Sequence, residues 1–296
     1  MTRISKGESG PVPPDLPYVG KSSGTGAGTD TGSGTGTGTG SAAGGARAEE
    51  AARPPRRVEA ADAGRWADLI VPPPAPSPAV AAAAGLLGGE FDTLVYTGRG
   101  VARFAMEEKP PPGYVLVEFA RTGTGFFDLD SVDWDGREAV GLGDSATSER
   151  FERRVMWCDD LYPLRFRVGC GERDDWVIVI RPVSAVRELG AGATGRGSEV
   201  LLHTGPAGEL ASRLDAAGRG RLRVEGHKPH RPGAPAAYPA VLASASERPC
   251  RDARPLPEGP LLVAVTEAAG DWSLEVREPS PAEEKKPGLW SRLFGR

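Results

Sequence analysis

Hydrophobic and polar positions are patterned over most of the chain beyond Phe91 and hardly at all before it. Leu94-Val95-Tyr96 is a short apolar run closed by Thr97-Gly98. Tyr114-Val115-Leu116-Val117-Glu118-Phe119 is rich in β-branched and aromatic residues, and Pro110 to Gly113 and Gly123 bound it, which predicts a strand. Phe126 to Asp130 and Val132 to Trp134 continue that pattern. Asp135-Gly136 predicts a tight hairpin turn, because both residues tolerate positive φ. Leu164, Phe166 and Val168 alternate with Arg165 and Arg167, the signature of a half-buried strand with one wet face. Trp176-Val177-Ile178-Val179-Ile180 is apolar on both faces and predicts a central strand ended by Pro182. Residues 207–217 have a composition compatible with helix, but their place in the repeat described below predicts a strand.

Residues 1–88 do not read as a domain. Ser22 to Gly45 is a Gly/Thr/Ser tract with almost no side chain to bury, so it cannot offset its ordering entropy. Arg47 to Arg57 is charged, and its composition permits a helical turn around Ala48 to Ala52. Pro72, Pro73, Pro74, Pro76 and Pro78 favour extended polyproline geometry. The expectation is a disordered segment over 1–88.

An internal repeat organises the remainder. Leu94-Val95-Tyr96-Thr97-Gly98 matches Leu201-Leu202-His203-Thr204-Gly205, and Val115-Leu116-Val117-Glu118 matches Leu222-Arg223-Val224-Glu225, both 107 residues apart. Pro163-Leu164 matches Pro260-Leu261, and Asp175-Trp176 matches Asp271-Trp272, at an offset of 96 to 97. On that alignment the second copy lacks about ten residues in its middle, with the Pro-rich His230 to Pro239 standing where the first has Phe126 to Trp134. A period near a hundred residues means two domains of one fold, because solenoid repeats are shorter. Many short strands between turn signals predict an all-β chain of two tandem antiparallel, jelly-roll-like β-sandwiches. The expected layout is a first sandwich over 89–186, a linker over 187–197, a second sandwich over 198–278 and a charged tail over 279–296.

Thr97-Gly98, Pro111-Pro112-Gly113-Tyr114, Asp135-Gly136 and Asp175-Trp176 together resemble the bacterial pre-peptidase C-terminal type of β-sandwich repeat. That resemblance covers most of residues 90–278 and implies accessory, non-catalytic modules that pack or bind. Its members are often extracellular, and this chain departs from them in showing no export signal. Ile4-Ser5-Lys6-Gly7 with Pro11-Val12-Pro13 resembles the opening of tellurium-resistance TerD-type proteins, which implies a stress-response context.

Charge and composition narrow the chemistry. A net charge of −4, from 36 basic and 40 acidic residues, disfavours a general nucleic-acid binder, which needs a basic face for phosphates. Three cysteines without CxxC spacing read as free thiols of a reducing compartment. No apolar stretch approaches the ~18 residues that suggest a membrane span. With no signal-like h-region at the start, the expected location is the cytoplasm. Gly20-Lys21-Ser22 ends like a P-loop, but Asp15 stands where its first Gly belongs.

Asp128, Asp130, Asp133 and Asp135 form an acidic cluster that offers several carboxylates to a hard cation such as calcium. EF-hand register fails there, since Leu142 falls at the twelfth position, and a hairpin with outward polar residues and an Asp-Gly turn is the favoured reading of the cluster. His203, His227 and His230 all lie in the second copy without zinc-site spacing, and His203 takes the place of Tyr96. No Gly-x-Ser-x-Gly or comparable motif pairs a nucleophile with a base, so neither a catalytic residue nor a cofactor is assigned. In the tail, Leu289, Trp290, Leu293 and Phe294 share one helical face beside Arg292, Arg296, Lys285 and Lys286. That pattern suits a partner groove, weak contact with an anionic membrane, or a frayed tail. The expectation is a non-enzymatic interaction or scaffold protein with a protein partner, and the alternative is a ligand- or calcium-binding module.

Overall fold

The computed structural model describes residues 54–133, 137–143, 150–159, 162–215, 221–230, 239–246, 250–268 and 270–278. Arg56–Val58 forms strand β1, and Pro78–Gly85 forms the single α-helix among these residues, α1. Eight strands follow: β2 (Leu94–Arg99), β3 (Ala102–Ala105), β4 (Gly113–Arg121), β5 (Phe127–Val132), β6 (Glu138–Gly143), β7 (Glu152–Cys158), β8 (Arg165–Cys170) and β9 (Asp175–Pro182). The two-residue strand β10 (Arg187–Glu188) leads into a second eight. These are β11 (Gly192–Arg196), β12 (Glu199–His203), β13 (Gly208–Asp215), β14 (Arg221–His227), β15 (Ala240–Ser246), β16 (Cys250–Leu256), β17 (Leu261–Ala268) and β18 (Asp271–Arg277).

The strands make four sheets: β1-β2-β9-β4-β7 (sheet I), β3-β8-β5-β6 (sheet II), β11-β18-β13-β16 (sheet III) and β10-β12-β17-β14-β15 (sheet IV). Counted within each eight, both sandwiches have the order 1-8-3-6 against 2-7-4-5, which is the jelly-roll order. The predicted all-β sandwich fold is present, and residues 208–215 form a strand. The period-2 pattern explains the cores. Trp176, Ile178 and Ile180 point inward with Phe119, Phe127 and Phe166 in the first sandwich. Trp272 and Leu274 do so with Leu210, Leu222 and Val265 in the second.

Residues 54–88 correct the expectation of disorder. Trp66 and Ile70 pack on Val95, Ala120, Val177 and Val179 of the outer face of sheet I, while β1 pairs with its β2 edge. α1 has Ser77 as N-cap, accepting from the Val80 N–H at 3.2 Å, and Pro78 at its first position, both favourable helix starts. Val80, Ala84 and Leu87 then pack against Tyr114 and Leu116. The chain after α1 lies so close to β4 that a Cβ at Gly113, where φ is +136°, would sit 2.5 Å from Gly88 Cα. The possible turn at Ala48 to Ala52 lies outside the described residues.

The linker expected over 187–197 is also corrected, because it contains β10 and β11, the latter the first strand of the second jelly roll. The register of the two copies changes with it. By strand position β2 corresponds to β11, not to Leu201 to Gly205, and β4 corresponds to β13, not to Leu222 to Glu225. Thr97-Gly98-Arg99-Gly100 thus corresponds to Thr194-Gly195-Arg196-Gly197, 97 residues on. Gly98 pairs across the sheet with Trp176, and Gly195 pairs with Trp272. Each indole N–H donates to the following glycine carbonyl, Gly100 O at 2.9 Å and Gly197 O at 2.8 Å. The offset is 96 to 97 at the first and last strands and drifts between them, Ala120 matching Arg213 and Arg154 matching Arg254, so no net ten-residue loss remains. His203 is a strand residue, but the counterpart of Tyr96 is Ala193.

A Cβ at Gly98 would lie 2.2 Å from the Trp176 ring, and one at Gly195 would lie 2.5 Å from the Trp272 ring. Gly98→Ala and Gly195→Ala are each expected to destabilise by about 1–3 kcal/mol through overpacking. Gly125→Ala, with open space around it, should change stability by less than ~0.5 kcal/mol. Urea denaturation of the three variants measures this, and equal midpoints would show that the indoles do not need the glycines.

Candidate functional site: the seam between the sandwiches

The two jelly rolls meet face to face. Tyr114, Leu116, Val155 and Trp157 on the outer face of sheet I pack against Val200, Leu202, Leu262 and Ala264 on the outer face of sheet IV. Polar groups lock the same seam. The buried Glu118 carboxylate accepts from Arg153 Nε and Arg181 Nε, both at 2.7 Å. Arg153 continues to Glu199 of the second sandwich at 2.7 Å, and Arg181 Nη2 donates to Val71 O of the N-terminal arm at 3.2 Å. The Ser198 N–H donates to Glu152 Oε2 at 3.0 Å, while Ser198 Oγ accepts from the Arg153 N–H at 2.8 Å. One carboxylate thus connects the arm, the first sandwich and the second.

Beside this lock the seam opens into a cleft of about 1420 Å³. One wall is the edge strand β7 with Val140 of β6 and Tyr162 of the following loop. The opposite wall is the polar half of sheet IV, where Arg223, Glu225 and His227 of β14 stand beside Thr266 of β17. Rings from the two sandwiches interleave at one end. Tyr114 meets His227 edge-on with centroids 5.6 Å apart and Trp157 at 5.0 Å, and Trp157 meets His230 at 4.5 Å. His227 Nε2 and Thr266 Oγ1 are buried there without a hydrogen-bond partner among the described residues. Glu225, 4.0 Å from His227 Nε2, holds Arg223 at 2.6 Å.

The acidic cluster occupies the outer face of sheet II. Arg167 Nε donates to Asp130 Oδ2 at 2.7 Å, and its Nη2 lies 3.4 Å from Asp128 Oδ2. A guanidinium therefore already sits where a cation was expected between Asp128 and Asp130. Asp133 accepts from the Arg137 N–H at 2.8 Å, while Asp135 lies outside the described residues. No group of three His, Cys, Asp or Glu able to hold a metal occurs among the described residues. Leu289, Trp290, Arg292, Leu293 and Phe294 also lie outside them.

Cys158 and Cys170 are free and buried. Burial pushes each thiol up to about 11, assisted by Asp159 and Asp174 respectively, so neither is a thiolate nucleophile near neutral pH. Sequence reasoning missed the cleft because its residues come from both sandwiches and share no local motif. The one available signal was the outward row Arg221, Arg223, Glu225 and His227 on β14, polar where a doubly covered strand would be apolar.

No protein-family model matches the sequence, and no curated protein matches it. Among solved structures, the chain is similar to the 7S globulin of Momordica charantia at 8% identity and a TM-score of 0.19, over 62% of this chain and 71% of that one. It is similar to HutD of Pseudomonas fluorescens SBW25 at 12% identity and a TM-score of 0.16, over 64% and 79%. A cupin 2 conserved barrel domain protein of Leptotrichia buccalis matches at 8% identity and a TM-score of 0.20, over 62% and 83%. Similarity at this level says nothing of substrate or ligand. Among the described residues, no helix is long and apolar enough to cross a membrane.

Two outcomes follow from these groups. Glu118→Ala leaves the Arg153 and Arg181 guanidiniums without their shared carboxylate, and the expected loss is about 3–5 kcal/mol by chemical denaturation. A loss under about 1 kcal/mol would show that the carboxylate does not hold the seam. Burial lowers the pKa of His203 and of His227, against the opposing pull of the Pro206 carbonyl and Glu188 on the first and of Glu225 on the second. The unfolded chain then binds more protons than the folded one just below the ordinary histidine value of about 6.5. This contribution is complete above that value and is lost as pH falls below it. The urea midpoint should therefore drop from pH 7.5 to 5.5, and less steeply in His203→Gln and His227→Gln.

Proposed function

We propose that the protein is a non-enzymatic interaction module in which two jelly rolls, locked as one body, present the seam cleft to a protein partner. The observation that carries this reading is the contrast between the sandwich interiors and the seam. The interiors are filled by apolar side chains such as Phe119, Phe127, Phe166 and Trp176, which are fully buried or nearly so. The seam instead presents aromatic rings, guanidiniums and carboxylates from both sandwiches to one cleft. Mixed aromatic and arginine surfaces are typical of protein-recognition patches. The recurrence of Thr-Gly-Arg-Gly at Thr97 and Thr194 supports origin of the two sandwiches by duplication. An accessory role is also what the resemblance to pre-peptidase C-terminal repeats implies. Free, protonated Cys158 and Cys170 are compatible with a reducing compartment such as the cytoplasm.

Quantitative affinity capture with three full-length chains tests the reading. A cleft variant, Arg223→Glu with Tyr162→Ala, alters two partly exposed side chains. A remote variant, Arg213→Glu, alters the outer face of sheet III. Partners retained by the wild type and the remote variant but lost at least tenfold by the cleft variant are the expected result. An unchanged partner set in the cleft variant, or substrate turnover by the purified chain, overturns it.

A further inference from the structure

Strand β11 is a bare edge of sheet III, because among the described residues it pairs only with β18. Its counterpart β2 is not bare. The arm strand β1 adds to it, with Arg56 opposite Thr97 and Val58 opposite Val95. Thr97 corresponds to Thr194 and Val95 to Gly192, so the edge that carries an added strand in the first sandwich has none among the described residues in the second. The fold thus accepts strand addition at this position, and β11 carries neither proline nor lysine to prevent it.

The phase of the ladder decides which groups of that edge are free. The Val276 N–H donates to Ala191 O at 2.9 Å, so Ala191 faces β18. In an antiparallel pair, alternate residues direct both N–H and C=O to the same side. Ala193 and Gly195 therefore face β18 as well, while Gly192, Thr194 and Arg196 face outward. Two of the outward groups are satisfied within the chain. The Gly192 N–H donates to Leu189 O at 3.0 Å, and Arg196 O accepts from Arg150 Nη1. The Thr194 N–H and C=O, the Arg196 N–H and the Gly192 C=O have no partner among the described residues.

Those four groups complement one another about a two-fold axis through Thr194. When β11 pairs antiparallel with β11 of another molecule, Thr194 exchanges both bonds with its twin, and each Arg196 N–H meets the Gly192 carbonyl of the other copy. The two groups left over in such a ladder, the Gly192 N–H and the Arg196 C=O, are the two already held internally. Side chains agree with the backbone. Ala193 and Gly195 lie opposite each other and add no bulk, threonine pairs with threonine, and each Arg196 faces a glycine instead of a like charge. On the outer face Asp271 stands beside Arg196 at 3.9 Å, and Glu275 stands beside Gly192. Across the pair the row reads Asp271, Arg196, Gly192, Glu275, so each arginine lies between two carboxylates, one from each copy. We propose that β11 is a self-association edge, to which a second copy of this chain adds antiparallel at ~4.8 Å to make one continuous sheet III. A five-residue ladder covers less than the ~800 Å² per partner of a standard interface, so the dimer is a reversible one. None of residues 192–196 lines the seam cleft, and the proposal is independent of the cleft reading.

Sedimentation equilibrium of the full chain, from about 1 μM to 1 mM, tests the proposal. The mass is expected to rise toward that of a dimer. Thr194→Pro removes the central N–H, and proline is tolerated on the outward side of an edge strand. It should raise the dissociation constant at least ~tenfold, because two of the four bonds are lost. Arg196→Glu sets like charges in one row and should weaken the dimer, while adding Glu275→Arg to it should restore association, which a misfolded chain would not do. A chain that stays monomeric at the highest concentration overturns the proposal. So does a dimer that Thr194→Pro or Arg196→Glu leaves intact, which would assign association to another surface. Amide exchange separates the remaining occupant. Protection of the Thr194 and Arg196 amides that grows with protein concentration supports pairing between copies. Protection already complete in the monomer assigns the edge to another segment of the same chain and overturns the proposal.

Discussion

The rest of the structure depends on burying sheet I from both sides. Its central strands β9 and β4 are covered inward by the first core and outward by the arm, α1 and the second sandwich. All nine residues of β4 are buried, so a charge there is tolerated only with partners. Arg121 has Asp174 as its partner, and Glu118 has two arginines that reach the two bodies covering the sheet. A buried ion pair often adds little net stability over an apolar substitute, but breaking one is costly. Apolar contact supplies the adhesion of the seam, and the Glu118 network fixes which arrangement of arm and sandwiches satisfies every charge.

Much of this architecture is legible in the chain because strands write their burial as a period-2 pattern. β8, with Arg165 and Arg167 between Phe166 and Val168, has one wet face as its alternation says. β9, apolar at successive positions, is the doubly covered strand. The arm is illegible because its order is not local. Trp66 and the short run Leu69-Ile70-Val71 sit between an Ala/Gly-rich stretch and three prolines with no strand or helix period, and only the waiting face of sheet I makes their burial worthwhile. The all-β sandwich architecture was legible, but the register between the two sandwiches was not. Short Leu-x-Val runs recur by chance in any β-rich chain, whereas a glycine beneath an indole leaves no room for a Cβ, so Thr-Gly-Arg-Gly is the better marker. The acidic residues were ambiguous for a related reason, because the Arg167 that pairs with Asp130 lies on a strand 37 residues downstream.

The same strand order carries opposite outer surfaces in the two sandwiches. On sheet I the cross-strand pair Val95 and Val179, and the pair Ala120 and Val177, form the face that the arm covers. The matching positions on sheet III are Gly192 with Glu275 and Arg213 with Ser273. On sheet IV, Val200 and Ala264 form part of the docking face, and the matching pair on sheet II is Arg103 with Arg167. Each sandwich therefore has one adhesive face and one charged face, and the adhesive faces are on non-equivalent sheets.

That inversion bears on how the two described sandwiches can stack. Joining sheet I of one unit to sheet IV of the next is a heterologous contact, and such contacts extend indefinitely unless something closes or caps them. Equivalent apolar faces on both units would have allowed a third jelly roll, or another molecule, to add at either end. Charges on sheets II and III remove those two faces from the reaction at the cost of no internal contact, the usual logic of a capping unit. What remains open is the strip beside the lock, where β7 and the polar half of sheet IV face one another across the cleft. The polarity that leaves the edge of β7 facing a cleft is a separate one, carried by Arg223, Glu225 and His227 of sheet IV.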